Sequence, residues 1–529
     1  MRLDGRVIYQ LDPAEFFDSD GDGRGDLEGV VRKLDYIRAV GADTLWLQPF
    51  FVSPYLDAGY DVVDHRDVSA RFGTMADFEN LVERSHQLDL KVMIELVVQH
   101  TSVDHPWFRA ARAAADSPYR DYYVWAREPR EDPAVQKPVF PGVEDSIWAY
   151  DEQVGKYYRH AFYRHEADLD VGRPAVRAEI HGIVRHWLNR GVDGFRVDAV
   201  PYMVRQAALA DGREDGYWFL SELAAVADGV PLMGEVDVPP EQYDEYFGDA
   251  DRLHAVLDFW TNNLLFLALA RCDAQPLVRA LHAQPQPPDG CTYVNWLRNH
   301  DELDLDRLSE AERNDVFDAF APEEKMRVFG RGIRRRLAPM LGDVRRVAMA
   351  HAVAQSLPGA PVVRYGEDIG MSEDLSLPDR ASVRTPMQWS AAENAGFSKA
   401  PPSLVEPEPI ASGPYSFTDV NVAEQELRTG SLLSRVSQLT AARRELGVLP
   451  SGRCEGLAFE PRSVFGVLHH RSDDAVLMLA NLSPDEARVH LPYDVRADLL
   501  ADSNYEPATK EVVLRGYGYR WLRIHDDSR

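Results

Sequence analysis

The sequence predicts an α/β protein: a (β/α)8 TIM barrel with a small domain inserted after the third strand and an all-β sandwich domain at the C-terminal end. Three observations predict it. Short apolar runs recur through about the first 440 residues, as in parallel strands buried on both faces. Segments with helical periodicity fill the intervals between them. After about residue 448 the rhythm changes to short alternating runs, the pattern of antiparallel sheets.

Taken in chain order, the apolar runs lie at residues 7–10, 44–47, 92–98, 194–198, 231–234, 255–259, 293–297 and 361–365. The fifth carries the faintest pattern. Eight strands, each followed by a helix, suggest a closed barrel; a doubly wound open sheet is the alternative. Leu27, Val30, Val31, Leu34 and Ile37 make one helical face. Val176, Ile180, Ile183, Val184, Trp187 and Leu188 make another, and Ser431 is an N-cap candidate before Leu432, Leu433, Val436 and Leu439. Residues 101–166, rich in aromatics and prolines, are too long for an ordinary loop and predict an inserted domain. The expected division is residues 1–101 and 167–448 for the barrel, 102–166 for the insertion and 449–529 for the β domain. Long loops follow the seventh strand (302–341) and the eighth (366–425). The first of these carries Arg331, Arg334, Arg335 and Arg336, which makes it a lid candidate or, more simply, a charged surface loop.

Composition narrows the function classes. The chain has 529 residues, 45% of them hydrophobic, which excludes a disordered or fibrous protein. With 58 basic and 86 acidic residues its net charge is −28, the wrong sign for nucleic acid or an anionic membrane. Three widely spaced cysteines, Cys272, Cys291 and Cys454, suit neither a disulfide framework nor a zinc site. The first residues lack a signal-peptide pattern, and no stretch reaches the ~18 apolar residues of a membrane span. The expectation is a soluble cytoplasmic protein whose oligomeric state the sequence leaves open.

Functional residues of such a barrel gather at the C-terminal ends of its strands. Three carboxylates fall there: Asp198 closing Gly-Phe-Arg-Val-Asp, Glu235 closing Pro-Leu-Met-Gly-Glu, and Asp301 closing Leu-Arg-Asn-His-Asp. Period-two geometry puts Arg196 on the face of Asp198, where it would hold that carboxylate ionised. Two carboxylates on a common cavity, one ionised and one protonated, are the minimum for glycoside chemistry. Metal ligands or structural ion pairs are the other readings of the same residues. A second acidic cluster, Asp18-Ser19-Asp20-Gly21-Asp22-Gly23-Arg24-Gly25-Asp26, alternates carboxylates with glycines and could wrap a hard cation. Its plainer reading is a solvated acidic turn with Asp26 near the N-cap of the next helix. An EF-hand does not fit, because Gly29 stands where the position-12 Glu belongs.

The ordered motifs Gly194-Phe195-Arg196-Val197-Asp198, Gly234-Glu235-Val236 and Asn299-His300-Asp301 resemble glycoside hydrolase family 13, the α-amylase family. Pro49 to Pro54, Asp57 to Val62, Arg384-Thr385-Pro386-Met387-Gln388-Trp389 and Tyr517 to Trp521 are similar to its trehalose-synthase and α-glucosidase branch. The resemblance spans nearly the whole chain. It implies Asp198 as the nucleophile, Glu235 as the general acid/base, and Asp301 as the carboxylate gripping the sugar 2- and 3-hydroxyls. It implies Arg196 beside the nucleophile, His100 and His300 on the bound sugar, and Tyr60 stacked beneath it. Asp57 and Arg384 would pair to close a blind pocket for one terminal glucose. Asp18, Asp20, Asp22 and Asp26, with the Arg24 carbonyl, would hold a structural Ca2+ or Mg2+. No organic cofactor is implied. The expected partner is a small α-linked gluco-oligosaccharide such as maltose or trehalose, not nucleic acid or a membrane.

Two departures stand out. The strand-three motif, usually Asp…Asn-His, reads Glu95-Leu96-Val97-Val98-Gln99-His100, with Glu95, Val97 and Gln99 expected on the inward face. A second metal site of the same branch would here comprise Gln99, Asp168 and Arg205, so a guanidinium from Arg205 is expected to replace the cation and pair with Asp168. The leading function is retaining glucosyl transfer that turns maltose into trehalose. Hydrolysis of terminal α-glucosides is the alternative, and a non-catalytic barrel acting as a protein partner is the rival from another class. Such a rival typically lacks a catalytic carboxylate, whereas all three are present.

Overall fold

The computed structural model describes residues 1–129, 138–209, 215–447, 454–470 and 475–525. The eight barrel strands are β1 (Ile8–Leu11), β2 (Thr44–Leu47), β3 (Lys91–Leu96), β4 (Gly194–Val197), β5 (Leu232–Gly234), β6 (Ala255–Leu257), β7 (Thr292–Trp296) and β8 (Ala360–Arg364). All neighbours are parallel, and β1 pairs with both β2 and β8, so the sheet closes and the open-sheet alternative is excluded. Each expected strand is present, shifted at its ends by no more than two residues. Period two assigns the faces. Ile8, Trp46, Met93, Met233, Leu257, Val294 and Val362 fill the barrel interior, while Tyr9, Leu45, Leu47, Ile94, Phe195, Val256 and Val363 meet the surrounding helices.

Helices follow their local chemistry. Pro174–Leu188 buries the predicted stripe, with Pro174 at its first turn. Ser431 caps Leu432–Leu446 by accepting from the Ser434 N–H. The expected single helix after β1 is two, Leu27–Arg32 and Leu34–Val40, broken where the Lys33 N–H turns back onto the Val30 carbonyl. The Lys33 ammonium instead lies over the Phe17 and Trp389 rings at 4.3 and 4.0 Å.

The insertion after β3 is entered and left through a ribbon, His100–Ser102 paired antiparallel with Glu166–Asp168. Its own sheet comprises Trp125–Ala126, Lys156–Arg159 and Trp148–Asp151. The expected boundaries near residues 101 and 166 fall inside that ribbon. The C-terminal boundary lies outside the described residues. Beyond it a five-stranded antiparallel sheet faces the ribbon Ala487–His490/Glu511–Leu514, with Leu477, Leu479, Val489 and Val512 in the shared core. The loop after β7 is no free surface loop. Leu303–Asp304, Arg327–Val328 and Gly332–Ile333 form a small sheet, and Arg331 donates to Asp304 at 2.7 Å and to the Val139 carbonyl of the insertion at 2.8 Å. Arg335 pairs with Glu373 at 2.8 Å, and Arg336 is fully buried against Glu367.

Candidate active site

The ends of β3, β4 and β5 build one wall. Backbone register aligns Arg196 with Glu95 on one side and Met233 on the other. The Asp198 N–H donates to the Leu96 carbonyl at 3.2 Å and the Glu235 N–H to the Val197 carbonyl at 2.9 Å, so both acids leave adjacent strands at one height. Arg196 then forks between them. Its Nη1 donates to Asp198 Oδ1 and, at 3.0 Å, to Glu95 Oε2. Its Nη2 meets Glu235 Oε1 at 2.7 Å. One guanidinium thus spans both carboxylates, one on each arm of its fork. The Ala199 N–H adds a 3.0 Å bond to Glu235 Oε2, from a backbone in the left-handed region (φ 50°).

The opposite wall comes from β1, β7 and the loops after β2 and β8. His300 Nδ1 meets the Gln10 amide at 3.1 Å, and its Nε2 meets Tyr60 Oη at 2.8 Å and Asp301 Oδ2 at 3.1 Å. With the amide donating to Nδ1, the neutral ring carries its proton on Nε2. Tyr60 stacks on His300 with centroids 5.4 Å apart and donates to Glu95 Oε1 at 3.0 Å. Trp46 donates to the same oxygen at 2.8 Å. A polar chain therefore runs from Gln10 through His300, Tyr60 and Glu95 to Arg196. His100 Nε2 lies 3.2 Å from the Tyr60 carbonyl and 3.7 Å from Glu166 Oε1, and its Nδ1 has no protein partner among the described residues.

The electrostatics separate the acids. Burial, with Asp198 and Asp301 nearby, pushes the Glu235 carboxyl up to about 8 against the pull of Arg196. Burial would raise Asp301 as well, but the Arg380 and Arg384 guanidiniums, with the His300 N–H beside it, outweigh it and hold that carboxyl well below the usual carboxylate range. Burial pushes Glu95 up to about 7 despite Arg196. Burial also keeps His300 neutral, well below the ordinary histidine value. A carboxyl that keeps its proton near neutral pH, as Glu235 does, is what the general acid of glycoside cleavage needs.

The sequence expectations are met unevenly. Asp198, Glu235, Asp301, Tyr60, Arg196, His100 and His300 converge as expected. Asp57 does not pair with Arg384. Its partner is Arg380, whose Nη2 lies 3.0 and 3.2 Å from the two Asp57 oxygens. Arg384 instead holds Asp301 Oδ1 at 3.1 Å and the His300 carbonyl at 3.0 Å. The two arginines are four residues apart on the turn Asp379–Val383 and its cap, so Arg380 occupies the place that the motif assigned to Arg384. A second arginine one turn upstream was the available signal.

Asp168 likewise pairs with Arg159, at 3.5 Å, and not with Arg205. Arg159 also donates to Gln206 at 2.9 Å, whereas Arg205 is exposed and lies over the Tyr202 ring. Glu95 points inward as expected, but β3 ends at Leu96. Val97 and Val98 therefore join the outer core, and the Gln99 amide is fully buried with no hydrogen-bond partner among the described residues.

In the acidic loop, Asp18, Asp20 and Asp22 bring carboxylate oxygens within 4.8 Å of one another. Asp26 lies outside that group of carboxylates. Asp26 caps the following helix through the Gly29 N–H at 2.6 Å and accepts from Ser19 at 2.8 Å, and the Arg24 N–H donates to Asp22 at 2.9 Å.

An eight-stranded barrel with two neighbouring acids on one arginine and a third acid clamped by two more defines the class: a carbohydrate-active barrel enzyme. Residues 10–311 and 324–452 match the α-amylase catalytic-domain family, and the chain belongs to that family. It is 39% identical to the trehalose synthase of Thermus thermophilus, over 93% of this chain and 52% of that protein. It therefore spans about half the length of that relative. It is 34% identical to the trehalose synthase/amylase of Mycobacterium tuberculosis, over 98% of this chain and 89% of the relative. Among solved structures, trehalose-6-phosphate hydrolase of Bacillus licheniformis shares the fold, with a TM-score of 0.78 at 23% identity over 99% of this chain and 100% of that one. No helix among the described residues is long and apolar enough to cross a membrane.

Proposed function

We propose that this enzyme transfers an α-glucosyl group with retention, turning maltose into trehalose without releasing the glucose between steps. The observation that carries the reading is the Arg196 fork, which sets Asp198 and Glu235 side by side. Asp198 attacks C1 as Glu235 gives its proton to the departing glycosidic oxygen. The C1–O bond breaks and a C1–Oδ ester forms on Asp198. The freed glucose turns, and its anomeric hydroxyl attacks C1. Glu235 takes that proton, and the ester bond breaks. Asp301 binds the sugar hydroxyls, His100 and His300 contact the ring, and Tyr60 stacks beneath it. The relatives at 39% and 34% identity, both bearing the name trehalose synthase, support this choice. Hydrolysis is the second reading, because water reaching the same ester yields glucose. An oligo-1,6-glucosidase of Parageobacillus thermoglucosidasius, 27% identical over 98% of each chain, favours keeping it.

A hard cation on Asp18, Asp20 and Asp22 fits the donor set, three carboxylates with clustered oxygens. It would serve structure only, tying a loop whose Asp18 also accepts from the Ser398 hydroxyl. The three free cysteines support a reducing, cytoplasmic setting. The enzymatic reading is tested by incubation with 5-fluoro-α-glucosyl fluoride and peptide mass mapping. A fluoroglucosyl adduct on Asp198 is expected; an adduct elsewhere, or none, contradicts it.

A further inference from the structure

His300 is held at both ring nitrogens. At Nε2 stand Tyr60 Oη at 2.8 Å and the ionised Asp301 carboxylate at 3.1 Å. At Nδ1 stands the Gln10 amide nitrogen at 3.1 Å. A side-chain amide can present either end. With its nitrogen forward, Nδ1 stays bare and the ring neutral. With its oxygen forward, the ring would lie between two acceptors and would take up a second proton. The neighbour of Gln10 on the next strand bears on that choice. Arg364, the last residue of β8, pairs with Gln10 in register, and period two turns both inward, two residues beyond Val362 and Ile8. Both are buried, Arg364 with 1% of its surface exposed and Gln10 with none. The Arg364 Nη2 donates to the Val383 carbonyl at 2.7 Å. Its Nε and Nη1 have no protein partner among the described residues, and neither has Gln10 Oε1. Two orphaned donors and one orphaned acceptor thus occupy adjacent register positions.

We propose that Arg364 is a positioning residue for His300: its guanidinium takes the Gln10 oxygen, directly or through one buried water, and so turns the amide nitrogen onto Nδ1 and keeps the ring neutral. The proposal rests on the reading above that sets His300 against the bound sugar. Its consequence is a matter of charge. The sugar ring becomes cationic as the glycosidic bond breaks, so a neutral Nε2–H donor suits that state and an imidazolium opposes it. Arg364 can hold the oxygen through the working range, because burial and the nearby Arg336 lower its guanidinium only to about 9. Asp12 and Glu15, beyond the end of β1, feel the same guanidinium. Around His300 itself, Asp301 from the loop after β7 favours the imidazolium, whereas Arg384 and Arg380 from the loop after β8 and Arg196 from β4 oppose it. Tyr60 covers one face of the ring, Trp46 meets it edge-on at 6.5 Å, and Glu95 reaches it through the Tyr60 hydroxyl. Against that balance, the facing of the Gln10 amide sets whether Nδ1 meets a donor or an acceptor.

The test is nitrogen NMR of the enzyme carrying isotope-labelled histidine rings, with His300 identified by the signals that His300→Asn removes. Arg364→Met, Arg364→Lys and Gln10→Glu are set beside wild type, with circular dichroism confirming folding, and kcat and KM for maltose are followed against pH. Wild type is expected to show a neutral Nε2–H ring down to about pH 6 and below. Gln10→Glu is expected to show an imidazolium at neutral pH. Arg364→Met is expected to bring the His300 titration up to about 6.5, the ordinary histidine value. Its kcat then gains an acid limb, about tenfold below wild type one pH unit under that value, with KM nearly unchanged. A lysine ammonium can serve the Val383 carbonyl or Gln10 but not both, so Arg364→Lys is expected to give a smaller shift in the same direction. If wild type carries its proton on Nδ1, the proposal is overturned. It is overturned equally if Arg364→Met lowers the thermal midpoint while ring signals and pH profile stay those of wild type, because Arg364 is then merely structural. If wild type leaves maltose unchanged, the functional reading fails; the ring signals then decide the positioning by themselves, a shift supporting it and constancy overturning it. Should Arg364→Met not fold, the ring signals of Arg364→Lys decide in the same way.

Discussion

At the residue scale, the account turns on how Arg196 and its neighbours divide protons among acids. The pairing of Arg196 with Asp198 was legible from two-residue periodicity alone, because both lie on one short strand. The link from Glu95 through Tyr60 to His300 was not, since its members are 35 and 240 positions from Tyr60 and only strand register aligns them. Arg380 was missed for a different reason: the motif carries Arg384, and only the fold shows which of two arginines four residues apart reaches Asp57. Glu235 must carry its proton to release the leaving group, and its carboxyl titrates at about 8. Below that value the acid form prevails, and above it the reactive fraction falls tenfold per pH unit. We expect kcat/KM for maltose to be flat on the neutral side and to drop above about pH 8. With α-glucosyl fluoride, whose leaving group needs no proton, that limb should vanish from the first step; a limb shared by both substrates assigns the proton to another group. Asp198→Asn should reduce turnover by about 10⁴-fold or more with the fold intact, as loss of a nucleophile does elsewhere. Retention of more than a hundredth of the rate removes Asp198 from the role.

At the element scale, strands and caps were readable because their causes are local. Ser431 offers its hydroxyl to a helix start after β8 and Asp26 its carboxylate to one after β1, both within a few residues of their partners. The acidic loop shows the limit of such reading. The resemblance implied Asp26 among the ligands, but Asp26 caps the following helix, and the clustered carboxylates are those of Asp18, Asp20 and Asp22. If they hold a cation, calcium at a hundred times its Kd adds about 2.7 kcal/mol, so EDTA should lower the thermal midpoint by a few degrees. Asp20→Asn should abolish that response. A midpoint indifferent to chelator and to added calcium removes the cation from the account. Arg443 carries a different load. Wholly buried, it donates to the carbonyls of Gln355, Leu357 and Gly359 where the helix Val344–Ser356 turns into β8. Arg443→Met leaves three buried acceptors unpaired and should cost roughly 3 kcal/mol, read as a denaturation midpoint.

At the scale of the whole molecule, the barrel was legible because eight apolar runs in order admit few closed arrangements. Its loops were not, because their conformations are set by contacts between distant segments. Arg331 shows this: predicted as part of a mobile or solvated loop, it bridges Asp304 to the backbone of the inserted domain. The insertion, the hairpin after β7 and the loop after β8 consequently meet over one site, the kind of closure that the proposed transfer would use to exclude water. The most direct measurement is incubation of the enzyme with maltose alone, following trehalose and glucose by chromatography, with Asp198→Asn as control. The account predicts trehalose as the dominant product from the earliest time points, with glucose a minor one. Glucose as the sole product, with no trehalose at any time, would contradict it.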